Sequence, residues 1–241
     1  MIQAITFDLW NTLITNKFYS DTRLAFLTNF LETQGITRSF KMVQEAFSLA
    51  FNLPPRDLER IEYRHIYTMT RIEKMLEVLN IEISEANKNL IKQKFEDAML
   101  LDPPLLKTGV KHTLKKLSSD YKIGLISNTG ISPGRIIKRV LEKYKILHYF
   151  QTTIFSDETG FYKPSSLMFE TALKNLNCEP QNAIHVGDLL ETDIKGAKES
   201  NMLTIWINIS FSSQSMYIQP DFEIQQIPEV IEIIKGLNRI S

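Results

Sequence analysis

The chain has 241 residues, 43% of them hydrophobic and 23% charged, with Lys+Arg and Asp+Glu equal at 28 each. That is the composition of a soluble globular protein with room for one large domain or a core plus a smaller companion, and a net charge of zero gives no bulk attraction to nucleic acid or to an anionic membrane. One cysteine, Cys178, excludes an internal disulfide and a Cys-rich metal site; no apolar run approaches the ~20 residues that span a bilayer, and Asp8 interrupts the first apolar stretch before a signal sequence forms, so a cytoplasmic protein with neither nucleic-acid nor membrane partners is expected.

The stretch Ile2 to Phe7 is apolar, rich in β-branched residues and ends at Asp8, which predicts a buried parallel strand. From about Ser20 to Leu101 the periodicity is helical. Leu24, Leu27, Phe30 and Leu31 share one face, with Gly35 as the stop. Ser39 caps a second helix carrying Val43, Phe47 and Ala50. Pro55 opens a third, in which Leu58, Ile61, Met69, Ile72, Leu76 and Leu79 recur at helical spacing. Ser84 opens a fourth that runs through Leu90, Ile91 and Ala98 until Pro103 and Pro104 end it.

Beyond those prolines, helical and strand patterns alternate. Helices are predicted over Val110 to Leu117, around Ile136 to Tyr144, over Ser166 to Leu176 and around Ile194 to Glu199. Between and after them fall strand patterns at 122–127, 152–155, 183–187, 203–207 and 221–224, with a closing helix from about Pro228. This alternation predicts an α/β fold, a doubly wound parallel sheet. A strand–helix–strand crossover takes about thirty residues, whereas more than a hundred separate the first strand from its clear successor. The helical block therefore reads as an insertion, giving a core of residues 1–15 and 102–241 and an all-helical unit of residues 16–101.

In an open α/β sheet ligands collect beyond the carboxyl ends of the strands. The first strand delivers Asp8, the second Ser127 and Asn128, and the fourth Gly187 and Asp188, with Asp193 five residues on and Lys163 shortly after the third strand. Three carboxylates at one rim do not all stay ionised without cations. Lys163 supplies one charge, and a hard, oxygen-seeking ion such as Mg²⁺ supplies the rest.

The segments Phe7 to Leu13 (FDLWNTL), Leu125 to Thr129 (LISNT), Tyr162 to Pro164 (YKP) and Gly187 to Asp193 (GDLLETD) resemble, in this order, the four motifs of the haloacid dehalogenase superfamily of hydrolases. The resemblance covers residues 1–15 and about 102–240, and the helical insertion matches that family's cap position. It implies a fold with a Rossmann-like core and a small-molecule substrate. Asp8 resembles the family's nucleophile, which forms a covalent aspartyl intermediate. Ser127 resembles the hydroxyl on the transferring group, Lys163 the cation that orients the nucleophile, and Thr12 the hydroxyl that fixes the nucleophile loop. Asp8, Asp188 and the backbone carbonyl of Trp10 resemble Mg²⁺ ligands, with Asp193 supporting. Trp10, Asn11, Ser127, Asn128 and Lys163 are the positions the resemblance sets against substrate.

One position departs from the phosphatase pattern. Family phosphatases carry a second Asp two residues after the nucleophile as proton shuttle, and here that residue is Trp10. Indole donates one hydrogen bond but does not shuttle a proton, and losing a positioned acid/base typically costs ~10²–10⁴-fold. An aromatic there resembles the 2-haloacid dehalogenase branch, where halide leaves unprotonated and no metal is needed. The acid pair Asp188 and Asp193 argues for phosphoryl chemistry instead. The leading expectation is a Mg²⁺-dependent phosphatase of a small phosphorylated metabolite. The alternatives are a metal-independent 2-haloacid dehalogenase using Asp8, and a catalytically weak relative that binds a ligand or a protein.

Other polar residues take structural readings. His65 is expected within the third helix as a packing or surface residue, and His185 as a hydrogen-bonded core residue. Cys178 lacks a nearby base in sequence. The run from Arg135 to Lys145 reads as the wet face of an amphipathic helix, and Arg56, Arg60, Arg64 and Arg71 as outward charges of the helical block, the alternative being that they reach a substrate anion.

Overall fold

The computed structural model describes residues 1–51, 63–209 and 218–240. Its centre is a six-stranded sheet in the order β3-β2-β1-β4-β5-β6, every neighbouring pair parallel. The strands are β1 (Ala4–Phe7), β2 (Lys122–Ser127), β3 (Thr152–Phe155), β4 (Ala183–Gly187), β5 (Leu203–Ile207) and β6 (Phe222–Ile224). β1 lies between β2 and β4, with Phe7 level with Leu125 on one side and Val186 on the other.

Period-two alternation sorts the strand residues onto two buried faces. Ile5, Phe7, Ile123, Leu125, Ile184 and Val186 face helices α5 (Val110–Leu117), α6 (Gly134–Lys143) and α10 (Val230–Ile240). Ala4, Ile126, Ile154 and Ala183 face α8 (Ser166–Leu176) and α9 (Lys195–Glu199). Both faces are covered, which is why the strands read as unbroken apolar runs. A short helix α7 (Ser156–Thr159), absent from the sequence expectation, follows β3 directly.

Between β1 and β2 the described residues form α1 (Ser20–Thr33), α2 (Phe40–Phe51), α3 (Thr68–Leu79) and α4 (Glu85–Leu101). Their apolar faces meet in one cluster that includes Leu27, Leu31, Phe47, Ile72, Met75 and Phe95 and takes in no strand residue. The expected boundaries are visible: Gly35 takes φ +70° after α1, and Ser84 Oγ accepts from the Asn87 N–H at 3.2 Å to cap α4.

The third helix departs from expectation. Pro55, Leu58 and Ile61 lie outside the described residues, and the helix begins only at Thr68. Tyr63 is left-handed at φ +57°. The Tyr162 N–H donates to Tyr63 O at 2.6 Å and the His65 N–H to Gly160 O at 2.8 Å, with Arg64 bridged antiparallel to Phe161. The spacing from Ile61 to Met69 suits a helix, but residues 63–65 pair instead with the loop that precedes Lys163. His65 is thus off the helix, buried, with Nδ1 3.1 Å from Ser156 Oγ. No helix among the described residues is long and apolar enough to cross a membrane.

Candidate active site

The sheet's chain direction reverses at β1: β2 and β3 lie to one side, β4 to β6 to the other. The carboxyl end of β1 is therefore the switch-point crevice, and Asp8 stands in it with its N–H donated to Val186 O at 2.8 Å. The chain then turns back on itself, Leu13 N–H reaching Leu9 O at 2.8 Å, with Asn11 left-handed at φ +54°; asparagine is among the few residues that tolerate this.

Lys163 is buried and spends its three ammonium protons inside the site. Nζ donates to Asp8 Oδ1 at 2.5 Å, Asp193 Oδ1 at 2.6 Å and Ile126 O at 2.8 Å. Asn128 clamps the lysine's backbone, Oδ1 accepting from its N–H at 2.7 Å and Nδ2 donating to its carbonyl at 3.3 Å.

Asp193 arrives from a π-turn (Leu190–Ile194) just after β4. Its Oδ2 accepts from the Leu189 N–H at 3.0 Å, and His185 Nε2 lies 3.5 Å from Oδ1. Only a glycine fits beside it: a Cβ on Gly187 would lie 2.5 Å from Asp193 Cγ. His185 is held from its other side, Nδ1 2.8 Å from Thr6 Oγ1. It is a core histidine as expected, yet one that braces a site carboxylate.

The charges do not balance. Burial, and then the nearby Asp193 and Asp188, push Asp8 up to about 7 against the pull of Lys163. Burial and Asp193 push Asp188 up to about 6, opposed by the Asn11 amide and Lys163. Burial acts in the same direction on Asp193, but Lys163 and His185 outweigh it and hold that carboxyl well below the usual range. Burial disfavours the Lys163 ammonium, and Asp193 and Asp8 reverse that and keep it protonated. One carboxylate oxygen of each of Asp8, Asp188 and Asp193 lies within 4.8 Å of the other two. Asp8 Oδ2 is buried with no hydrogen-bond partner among the described residues. An orphaned carboxylate oxygen beside two more carboxylates fits a hard divalent cation, and this cluster can hold a metal ion.

Trp10 Nε1–H donates to Asn128 O at 3.1 Å, linking the loops after β1 and β2. Ser127 is buried at the end of β2, its Oγ reaching only the Asn128 carbonyl at 3.4 Å. Thr12 is buried too, but its hydroxyl finds no partner among the described residues, so no hydrogen bond from it fixes the loop. Lys107, which the sequence reading passed over, donates from Nζ to the Asn11 carbonyl.

A cavity of about 390 Å³ opens above these groups. Asp8, Trp10, Asn11, Asn128, Lys163, Asp188 and Asp193 form its floor, and Tyr19, Arg23, Phe47, Phe51 and Arg71 of the helical block its far wall. Of the arginines read as outward charges, Arg56 and Arg60 lie outside the described residues, Arg64 is exposed with its guanidinium 5.4 Å from the Phe161 ring centroid, and Arg71 is buried. Arg23 is buried as well, and no sequence signal had singled it out. The run after Arg135 does form the exposed face of its helix, where Arg135 meets Glu96 at 2.5 Å and Lys138 meets Glu158 at 2.8 Å.

A parallel sheet with acids and a lysine gathered at its switch point defines an α/β protein with a charged site at the carboxyl edge of the sheet. The family model for haloacid dehalogenase-like hydrolases matches residues 2–201, and the chain belongs to that family. It is 28% identical over 165 residues to the pyrimidine 5'-nucleotidase YjjG of Escherichia coli (strain K12), covering 68% of this chain and 69% of that one. It is 28% identical over 243 residues to a glyceraldehyde 3-phosphate phosphatase of Pyrococcus abyssi, covering 99% and 96%. Three further glyceraldehyde 3-phosphate phosphatases are matched over 39% to 55% of their own length, and a fourth over 82%. Among solved structures, the 2-haloacid dehalogenase of Pseudomonas syringae superposes with a TM-score of 0.76 at 23% identity, over 98% of this chain and 100% of that one; at that identity the likeness concerns the fold.

Proposed function

We propose that this hydrolase is a Mg²⁺-dependent phosphatase of small phosphorylated metabolites, acting through an aspartyl intermediate on Asp8 beneath a cap formed by residues 16–101. The observation that carries the reading is the acid cluster, with its orphaned Asp8 Oδ2 and the buried Lys163 that pairs with Asp8 and Asp193. The nucleotidase and phosphatase names of two relatives support it.

Asp8, Asp188 and the Trp10 carbonyl would hold Mg²⁺ with Asp193 supporting, and the ion would offset carboxylate charge and polarise the phosphoryl oxygens. The chain does the rest. Lys163 fixes Oδ1 of Asp8, and Asn128 fixes Lys163. A carboxylate oxygen of Asp8 attacks phosphorus, and the ester P–O bond breaks with its electron pair passing to the leaving oxygen. Water then cleaves the aspartyl phosphate, restoring the carboxylate and releasing inorganic phosphate. Ser127 and the Lys163 charge stabilise the transferring group. Trp10 supplies no proton to the leaving oxygen, so esters with acidic leaving groups react best.

Trp10 also favours a second reading, attack by Asp8 on the carbon of a 2-haloacid, from which halide leaves without a proton. A metabolite screen for phosphate release with and without Mg²⁺, run beside chloride release from 2-chloropropionate in EDTA, separates the two. Mg²⁺-dependent phosphate release supports the phosphatase; chloride release that survives EDTA, with no phosphate released from any ester, replaces it.

A further inference from the structure

Charge is distributed unevenly over the cavity wall. The floor carries three carboxylates against Lys163, while the helical wall carries Arg23 and Arg71, each less than a tenth exposed. A buried guanidinium is normally paired, since an unpaired buried charge is costly. Among the described residues neither arginine has a carboxylate within 4.0 Å. Arg23 is held by neutral oxygens, Nε donating to Phe95 O at 2.9 Å and one terminal nitrogen to Ser132 Oγ at 3.2 Å. Arg71 donates to the carbonyls of Ala50 at 3.3 Å, Phe51 at 3.1 Å and Ile66 at 3.4 Å.

Other charges around this wall are matched. Lys17 pairs with Asp102, and buried Glu96 pairs with Arg135. Each guanidinium also faces a ring, Arg23 5.5 Å from the Tyr19 centroid and Arg71 6.0 Å from that of Phe51, but neither meets a carboxylate among the described residues, and each keeps a terminal nitrogen with no partner there that is not sealed from solvent. Burial, only partly opposed by Tyr19, pushes the Arg23 guanidinium down to about 10, as befits a cation lacking its counter-charge. Phe47 and Phe51, stacked with centroids 4.5 Å apart, back the same wall.

We propose that Arg23 and Arg71 form a second anion subsite, so that the substrate is a small phosphate ester carrying a further anionic group, a carboxylate or a second phosphate, at the end remote from Asp8. The proposal rests on the phosphatase reading for the identity of the ester, but its binding test stands without turnover. A guanidinium has the planar fork that receives a carboxylate or phosphate bidentately, and such charge-assisted bonds discriminate about 10–10²-fold against an analogue lacking the anion.

The test measures binding of non-hydrolysable phosphonates to the Mg²⁺-loaded protein by calorimetry. Phosphonoacetate and 3-phosphonopropionate are compared with ethylphosphonate and propylphosphonate, which match them in length but end in a methyl group. Propane-1,3-diphosphonate tests the second phosphate. At least one doubly anionic ligand is expected to bind 10–10²-fold tighter than its methyl-ended partner, and Arg71→Gln and Arg23→Lys to remove most of that advantage. Whichever arm gains identifies the second anion. Equal affinity for charged and methyl-ended ligands in the wild-type protein overturns the subsite, and needs no variant to fold. Equal losses for both ligand types in a folded variant also overturn it, because the arginine then serves the phosphonate end or the fold. Tighter binding of the doubly anionic ligands in a protein that hydrolyses no phosphate ester upholds the subsite while the phosphatase reading falls.

Discussion

Burial and two neighbouring carboxylates push Asp8 toward its neutral form against the pull of one lysine, and that tension has a sign that can be measured. Its folded pKa lies near 7 against an ordinary 3.8. Protonated Asp8 therefore stabilises the metal-free protein fully below the lower value, and the benefit is lost as pH rises through the higher one. Asp193, held low, works oppositely and loses its contribution only in acid. Asp8→Asn is expected to abolish turnover and to raise the metal-free Tm relative to wild type, by clearly more at pH 8 than at pH 5 and not at all below the ordinary carboxylate value. The gain is a few degrees, at roughly 2–4 °C per kcal/mol for a chain of this size. Turnover above a tenth of wild type, or a Tm difference flat in pH, would sink the assignment. Trp10→Asp offers the complementary gain. It loses the bond to Asn128 O but restores a group able to protonate a leaving alcohol, so the ratio of alkyl to p-nitrophenyl phosphate turnover should rise by up to ~10²-fold. A variant that melts like wild type with an unchanged ratio shows that Trp10 does not stand in for an acid. Asp8, Lys163, Asp188 and Asp193 were legible because strand ends and motif order mark them. Arg23 and Arg71 were not, since helical periodicity cannot distinguish a charge facing solvent from one facing a cavity.

Among the elements, the end of β4 carries the tightest constraint. The π-turn folds Asp193 back over Gly187, where no side chain can stand. Gly187→Ala should displace Asp193 from Lys163, lower turnover more than tenfold and cost about 1–3 kcal/mol by overpacking; thermal melts and turnover check both, and a variant indistinguishable from wild type would mean that the close approach is dispensable. This turn was not legible as such: the sequence predicted a helix around Ile194, and nothing in its pattern separates a π-turn from the first turn of an α-helix. The strands were read within two residues because burial on both faces leaves them uniformly apolar. The third helix failed between Tyr63 and Tyr67 for a tertiary reason, the pairing of residues 63–65 with 160–162, which no local pattern encodes. That pairing stitches the middle of the helical block to the loop bearing Lys163.

At the scale of the molecule, metal and protons compete for one cluster. Asp8 near 7 and Asp188 near 6 both take up protons as the metal-free site is acidified, and Mg²⁺ must displace them. Its affinity should therefore fall by at least tenfold between pH 8 and pH 5.5, and binding at pH 6.5 should release protons, visible as a calorimetric heat that depends on the buffer's ionisation enthalpy. Asp188→Asn should weaken that binding, while Asp97→Asn on α4 should not; identical Mg²⁺ curves for wild type and Asp188→Asn would remove the metal from the mechanism. The strand order also sets a timetable for biosynthesis. β1 is made first, yet the partners flanking it are remote: Thr6 meets His185 across 179 residues, and Asp8 meets Lys163 across 155. At translation rates of about 5–20 residues per second, Asp8 waits roughly 8–30 s for its lysine. Through that interval the helical block has its own apolar cluster to collapse onto, while the central strand gains β2 on one side and waits for β4 on the other. A ribosome-bound nascent chain is thus expected to carry a collapsed helical block beside a largely apolar β1 with one edge still open, the segment most exposed to chaperone capture until the second half of the sheet emerges to enclose it.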